Sequence, residues 1–404
     1  MHTKKVLLIK YGEIALRKGN RTHFEHHLLD AIRHNLQSYI ATGEIKVSRE
    51  QGRFLVESPI GSIDHSTILP KIKHIFGLTQ FCDATKTTDT SIVNLANTAI
   101  DYINNLNPHN IPQSFKVITK RSDKSYPMQS GEISAEIGAA ICAACPHYTV
   151  DLHNPDVTLW IELRNHVYMY SSGVAGHGGL PYATNGKGIV LLSGGFDSPV
   201  AAYLAARRGV HITCAYFHSP PFVSERALDK VKDLTKELSK FTGEIKLAIV
   251  PFTNVQLFLK NSTHPEKLTI LLKRAMLHIA TRLATETDAH CLITGDSIGQ
   301  VASQTMHSIA AVNSASPLTI LRPLSTMDKQ QIIDIAREIE TYDISVRPYD
   351  DCCTLFVAKH PENKPSTKAI EKIETSIFQD LSPLISEAFE NIEYFSTSEI
   401  FPNQ

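Results

Sequence analysis

Between Gly188 and Gly209 the sequence reads GIVLLSGGFDSPVAAYLAARRG. The apolar run Ile189–Leu192 is followed at once by Ser193-Gly194-Gly195-Phe196-Asp197-Ser198, then by a helix-forming stretch with Pro199 near its start. A short apolar run without polar alternation is a strand buried on both faces. Proline suits the first helical position, where its missing N–H costs nothing. The tightest bend of the chain therefore lies between a buried strand and a helix. Further strands are expected at 211–217, 246–250 and 291–294, separated by helical segments. That alternation predicts an α/β domain with a doubly wound parallel sheet over 188–404.

In such a sheet, ligands bind beyond the C-terminal ends of the strands. Two glycines let the backbone approach an anion closely. The N–H groups of the following helix then point at it, assisted by the helix dipole. Ser193 and Ser198 can donate to phosphate oxygens. Asp197 cannot bind phosphate directly; it either holds Mg²⁺ or orients the loop. Neither the G-x-G-x-x-G fingerprint nor a Gly-Lys-Ser/Thr phosphate loop is present in this turn. The plain alternative is a glycine turn that serves packing alone.

Ahead of this domain, residues 1–60 read as a small α/β unit: a strand at 6–11, an amphipathic helix at 22–40 striped by Phe24, Leu28, Ile32 and Leu36, and strands at 45–49 and 54–57. Residues 61–170 read as a second unit, with helices capped by Ser91 and Ser130, a strand at 115–119 and a hairpin around Arg164-Asn165-His166. Residues 171–187 are glycine-rich and read as a linker. No stretch is apolar enough for a signal peptide or a membrane span, so a cytoplasmic protein without membrane contact is expected. Seven scattered cysteines form no disulfide framework, and Cys142 and Cys145 read as core packing. The net charge of −1 does not announce a nucleic-acid binder. Local basic clusters exist: Lys10, Arg17, Lys18 and Arg21, and Lys116, Lys120, Arg121 and Lys124. A charge run is usually a solvated face.

Ser-Gly-Gly-x-Asp-Ser resembles the pyrophosphate loop of the N-type ATP pyrophosphatases, which cleave ATP to AMP and pyrophosphate. The stretches AYFHSPPFVSERALDKV (215–231), LITGDSIGQVASQT (292–305), LRPLSTMDKQQII (321–333) and RPYDDCCTLFVAKHP (347–361) resemble the tRNA 4-thiouridine synthases, or tRNA sulfurtransferases. KYGEIALRKGNR (10–21) and FKVITKRSDKSYPMQSGEIS (115–134) are similar to that family's ferredoxin-like and THUMP regions. The resemblance implies three domains: ferredoxin-like α+β, THUMP α/β and a PP-loop domain like the adenine nucleotide α-hydrolases.

It also implies a function. ATP would adenylate the C4 oxygen of uridine 8 in tRNA, and persulfide sulfur would displace AMP to give 4-thiouridine. Leu191, Leu192, Tyr216, Phe217, Lys273, Gly295 and Gln304 would join the loop residues as ATP contacts. For Lys273 the alternative is a solvated helix charge; for the Leu and Tyr-Phe pairs it is core packing. Cys352-Cys353 would supply the sulfur-handling thiol, without indicating which of the two acts. The basic clusters would become phosphate contacts to tRNA. A cysteine desulfurase would donate sulfur, and the oligomeric state stays open, a homodimer being one option. The sequence given shows no rhodanese domain of the kind longer members carry. Cysteine recycling and a part in thiamine thiazole formation are therefore left open. Rival readings are a 2-thiouridylase or amide-forming ligase of the same fold, and a non-catalytic RNA-binding module.

Overall fold

The computed structural model describes residues 3–16, 19–59, 64–122, 124–349 and 362–399. Arg17, Lys18, Cys352 and Cys353 lie outside the described residues. The chain divides into two compact units, 1–179 and 180–404. The division falls inside the glycine-rich stretch read as a linker.

The first unit begins with β1 (Thr3–Tyr11), α1 (Arg21–Asn35), α2 (Gln37–Ala41), β2 (Lys46–Glu50), β3 (Arg53–Glu57), α3 (His65–Ile72) and β4 (Leu78–Thr87). It continues through α4 (Ile92–Leu106), β5 (Gln113–Arg121), α5 (Ser130–Ala144), β6 (Tyr148–Val150), β7 (Val157–Leu163), β8 (Val167–Tyr170) and β9 (Val174–Ala175). The strands form one sheet in the order β2-β3-β1-β4-β8-β7-β5-β6, with β9 on β4. The helix expected over 22–40 breaks at Leu36, which leaves helical geometry. Asn35 donates its side-chain amide to the Ala31 carbonyl at 2.9 Å, a local bond that competes with the helical ladder. Ser91 caps α4 as expected, accepting from Asn94 N. At α5 the N-cap is Gln129 rather than Ser130, because Glu132 reaches back to the Gln129 N–H at 2.6 Å. Cys145 is buried, but Cys142 is exposed and is not core.

This sheet curls. Arg53 on β3 and Glu162 on β7 are four strand positions apart, yet their side chains form an ion pair. In a flat sheet, at about 4.8 Å per strand, they would stand about 19 Å apart. Inside the curl lie Tyr168 and Tyr170, both buried, with Trp160 packed against them. Tyr170 donates its hydroxyl to Glu162, and Arg164 adds a second cation at 3.3 Å. Burial alone would raise the Glu162 pKa. The Arg53 charge and the bonds from Tyr170 and Arg53 outweigh it and hold the carboxyl at about 2.

The second unit holds β10 (Lys187–Leu191), α6 (Asp197–Arg207), β11 (His211–His218), α7 (Glu225–Thr242), β12 (Lys246–Pro251), α8 (Thr253–Ser262), α9 (Pro265–Glu286) and β13 (Cys291–Ile293). It ends with α10 (Met306–Asn313), β14 (Thr319–Leu321), α11 (Lys329–Glu338), α12 (Tyr342–Ser345), α13 (Thr367–Glu390) and β15 (Glu393–Ser396). The sheet order is β14-β13-β10-β11-β12-β15, and every pairing is parallel except that of β15. Ile189 and Val190 of β10 are fully buried, which is why the run shows no polar alternation. Glu374 of α13 ties down α9 through Arg274 at 2.5 Å and His278 at 3.1 Å. No described helix is long and apolar enough to cross a membrane.

Replacing Glu162 by Gln leaves Arg53, 3% exposed at its side chain, as a buried cation without its counter-charge. The expected loss is about 3 kcal/mol, read from chemical denaturation followed within residues 1–179. In the wild type this stabilisation is present above the unfolded-state value of 4.5 and is lost as pH falls toward about 2.

Candidate functional site

β10 is the switch point of the second sheet: β11 pairs on one side of it and β13 on the other. Pairing with β13 ends at Val190 with Ile293, and pairing with β11 ends at Leu191 with Ala215, extended by Leu192 N to Ala215 O at 2.9 Å. Beyond these points the neighbours pair outward only. Tyr216 and Phe217 pair with β12, and Thr294 donates to Leu321. A crevice therefore opens at the C-terminal ends of the strands, as expected for this sheet class.

The glycine turn lies in that crevice. Ser198 Oγ accepts the Ser193 N–H at 2.8 Å and sits 3.0 Å from Ser193 Oγ, so the two serines fix the loop. A Cβ on Gly195 would meet only Ser193 Oγ, at 3.7 Å, so this backbone faces open space that a ligand can approach. Gly295 follows β13 and has no such freedom. A Cβ there would stand 2.7 Å from Ser198 N and 2.8 Å from the Asp197 carbonyl carbon. Only glycine lets β13 close onto the first turn of α6.

Asp197 opens α6. Its Oδ1 is buried with no hydrogen-bond partner among the described residues. Burial pushes its carboxyl up to about 6; the Lys329 charge opposes the rise and the Asp296 charge adds to it. An orphaned carboxylate oxygen suits a hard cation. The described residues contain no cluster of three or more His, Cys, Asp or Glu able to hold a metal. Asp197 with phosphate oxygens and water is nevertheless a usual Mg²⁺ set, so the residues fit.

The other expected contacts divide. Lys273 of α9 pairs with Asp296 at 2.9 Å, and Gln304 reaches the same carboxylate at 3.4 Å, so Lys273 is no solvated helix charge. Leu192, Tyr216 and Phe217 are buried, and Phe217 packs on Phe252 with ring centroids 5.1 Å apart. Their side chains belong to the core. Ala215 is the last residue of β11 bonded to β10, through Leu192 N, so the next backbone to face the β10 side is that of Phe217. Three charged groups went unremarked in the sequence: Asp296, Arg322 and Lys329. Each lies in a stretch that resembles the family, but nothing in the sequence shows that they converge.

In the first unit, Lys120 and Lys124 are exposed, with the Lys120 ammonium 4.7 Å from the Trp160 ring centre. Lys116 approaches the Leu152 carbonyl at 3.4 Å. Lys10 is half-buried and donates to Tyr170 at 2.8 Å, Arg21 bonds Glu25 and Tyr11, and Arg121 holds the carbonyls of Tyr126 and Met128. These three spend their hydrogen-bonding capacity largely inside the fold.

The Asp197 carboxyl titrates near 3.8 when unfolded and near 6 when folded. Folding therefore favours its protonated form, and the cost of burying the charge is complete above about pH 6. Asp197→Asn removes that cost. The variant is expected to melt higher than wild type at pH 7.5, with the difference shrinking as pH falls from 6 toward 4. Thermal melts across pH check this.

Residues 183–378 match the family described as Thiamine biosynthesis protein (ThiI), residues 6–82 the ThiI ferredoxin-like domain, and residues 99–172 the THUMP domain. A probable tRNA sulfurtransferase of Lachnoclostridium phytofermentans is 44% identical over 389 residues, covering 96% of this chain and 98% of that one. One of Brevibacillus brevis is 40% identical over 389 residues, covering 96% and 95%. The crystal structure of a 4-thiouridine synthetase–RNA complex with bound ATP is similar at a TM-score of 0.83 and 35% identity, covering 97% of this chain and 99% of that chain. The fold, the glycine loop at the switch point and these near-full-length likenesses agree: the chain belongs to the tRNA sulfurtransferase family.

Proposed function

We propose that this tRNA sulfurtransferase uses ATP to adenylate the C4 oxygen of uridine 8 in tRNA and exchanges that oxygen for persulfide sulfur, giving 4-thiouridine. The observation that carries the reading is the buried, unpartnered Asp197 oxygen beside a serine-fixed glycine loop, at the mouth where β10 parts from both neighbours. The loop and the start of α6 receive the triphosphate through backbone N–H groups and the serine hydroxyls. The backbone edge at Phe217 takes the adenine. Lys273, paired with Asp296, would meet phosphate charge. Held through Asp197, Mg²⁺ would supply charge neutralisation for the departing pyrophosphate.

The proposed division of labour follows the resemblance: a ferredoxin-like domain at 1–60, a THUMP domain at 61–170, a linker at 171–187 and the catalytic domain at 188–404. Among the basic residues, Lys120 and Lys124 are best placed to contact RNA phosphates, since both are exposed. Cys352 and Cys353 remain the proposed sulfur handlers, with a cysteine desulfurase as persulfide donor. Because C4 must reach ATP, the target base has to leave its stack. The reaction is placed in the cytoplasm, where tRNA and ATP are found.

Mass spectrometry of nucleosides from tRNA incubated with the protein, ATP, Mg²⁺ and a persulfide-donating desulfurase tests this. The expected product is 4-thiouridine, dependent on ATP. Finding 2-thiouridine instead, or ATP consumption without any thiolated nucleoside, would overturn the reading.

A further inference from the structure

Asp296 directly follows Gly295, and its side chain is 13% exposed. Its carboxylate gathers four donors. Oδ1 accepts from Lys273 Nζ at 2.9 Å and from Gln304 Nε2 at 3.4 Å. Oδ2 accepts from Thr294 Oγ1 at 2.8 Å and from Arg322 Nε at 3.2 Å. These donors come from α9, the turn at 302–304, the end of β13 and the segment after β14. Burial alone would raise the Asp296 pKa; the Lys273 and Arg322 charges, with the bonds from Lys273 and Thr294, outweigh it and hold the carboxyl at about 2.

Two consequences bear on the nucleotide site. A lysine ammonium on its flexible stem has no fixed direction of its own, and the short bond to Asp296 gives Lys273 one. The Gln304 amide is also oriented. Because Nε2 donates to Asp296, Oε1 must face away from it, and Oε1 is buried with no hydrogen-bond partner among the described residues. A buried acceptor left without a donor is costly, so this oxygen suits a donor group on a ligand.

We infer that Asp296 is a positioning residue for the nucleotide: through its hydrogen bonds it aims the Lys273 ammonium and the Gln304 carbonyl oxygen at bound ATP. Asp296 does not touch the phosphates, since an anion would repel them. The inference rests on the ATP-site reading above and deepens it.

The test uses the full chain with tRNA at saturation and AMP formation as the assay. Asp296→Asn keeps the shape but removes the anion. It is expected to raise the KM for ATP about tenfold or more, the scale of losing bonds to a charged group, with a smaller change in kcat and no change in tRNA affinity. A merely structural role gives the opposite pattern: a lower melting temperature with KM for ATP unchanged. Should Asp296→Asn fail to fold, Thr294→Val serves instead. It keeps the size of the side chain and removes the hydroxyl that donates to Asp296 Oδ2 at 2.8 Å, leaving Lys273 and Gln304 unaltered. A rise in KM for ATP without loss of Tm supports the inference. Lys273→Ala separates the two possible failures. If it weakens ATP binding while Asp296→Asn or Thr294→Val does not, the positioning role is overturned and the site reading stands. If Lys273→Ala is also without effect, the assignment of ATP to this crevice falls with it.

Discussion

The second unit depends on one close approach. The backbone at Gly295 packs so tightly on the first turn of α6 that even a methyl group would collide with the Ser198 amide. This contact brings the end of β13 against the loop that leaves β10, although the two are about a hundred residues apart. It places Asp296 beside the crevice that Asp197 enters. The serine pair fixes the loop from the other side, through bonds between residues 193 and 198. Ordered backbone of this kind can receive charge without reorganising when charge develops, which is where most catalytic stabilisation arises.

Two carboxylates then share one small region with opposite properties. Asp197 is desolvated and has no partner for one oxygen, so its pKa rises to about 6. Asp296 is also desolvated but lies among two cations, a hydroxyl and an amide, so its pKa falls to about 2. Their environments, not their chemistry, give them different roles, the usual way in which one site keeps two acids apart. Asp197 is left in need of a cation, while Asp296 already has its cations and serves to hold them.

Much of this was legible in the chain. The unbroken apolar run and the paired glycines were enough to place a buried parallel strand and the turn that follows it, but Pro199 does not mark the first helical position: α6 already opens at Asp197, with Phe196 as its N-cap. The alternation of strands and helices gave the class of the second sheet. What was not legible came from tertiary contact. Nothing local marks Asp296 and Arg322 as partners, because they lie 26 residues apart and meet only when β13 and β14 pair. The basic run at 116–124 could not reveal that Arg121 turns inward onto two carbonyls while Lys120 stays exposed. The stripe of apolar residues at 24, 28, 32 and 36 hid the helix break at Leu36, because that residue is buried as the stripe requires. The cysteine pair at 352 and 353 lies outside the described residues, so its place rests on the resemblance alone.

If the glycine-loop crevice activates RNA before any sulfur is involved, an adenylated RNA forms without a sulfur donor. Incubating the protein with tRNA, Mg²⁺ and ATP labelled at the α-phosphate, with every sulfur donor withheld, tests that claim most directly. The prediction is label covalently attached to tRNA, absent with the Asp197→Ala protein and discharged as AMP once a persulfide donor is added. Label that never reaches the RNA, or that reaches it equally well without Asp197, would contradict the account.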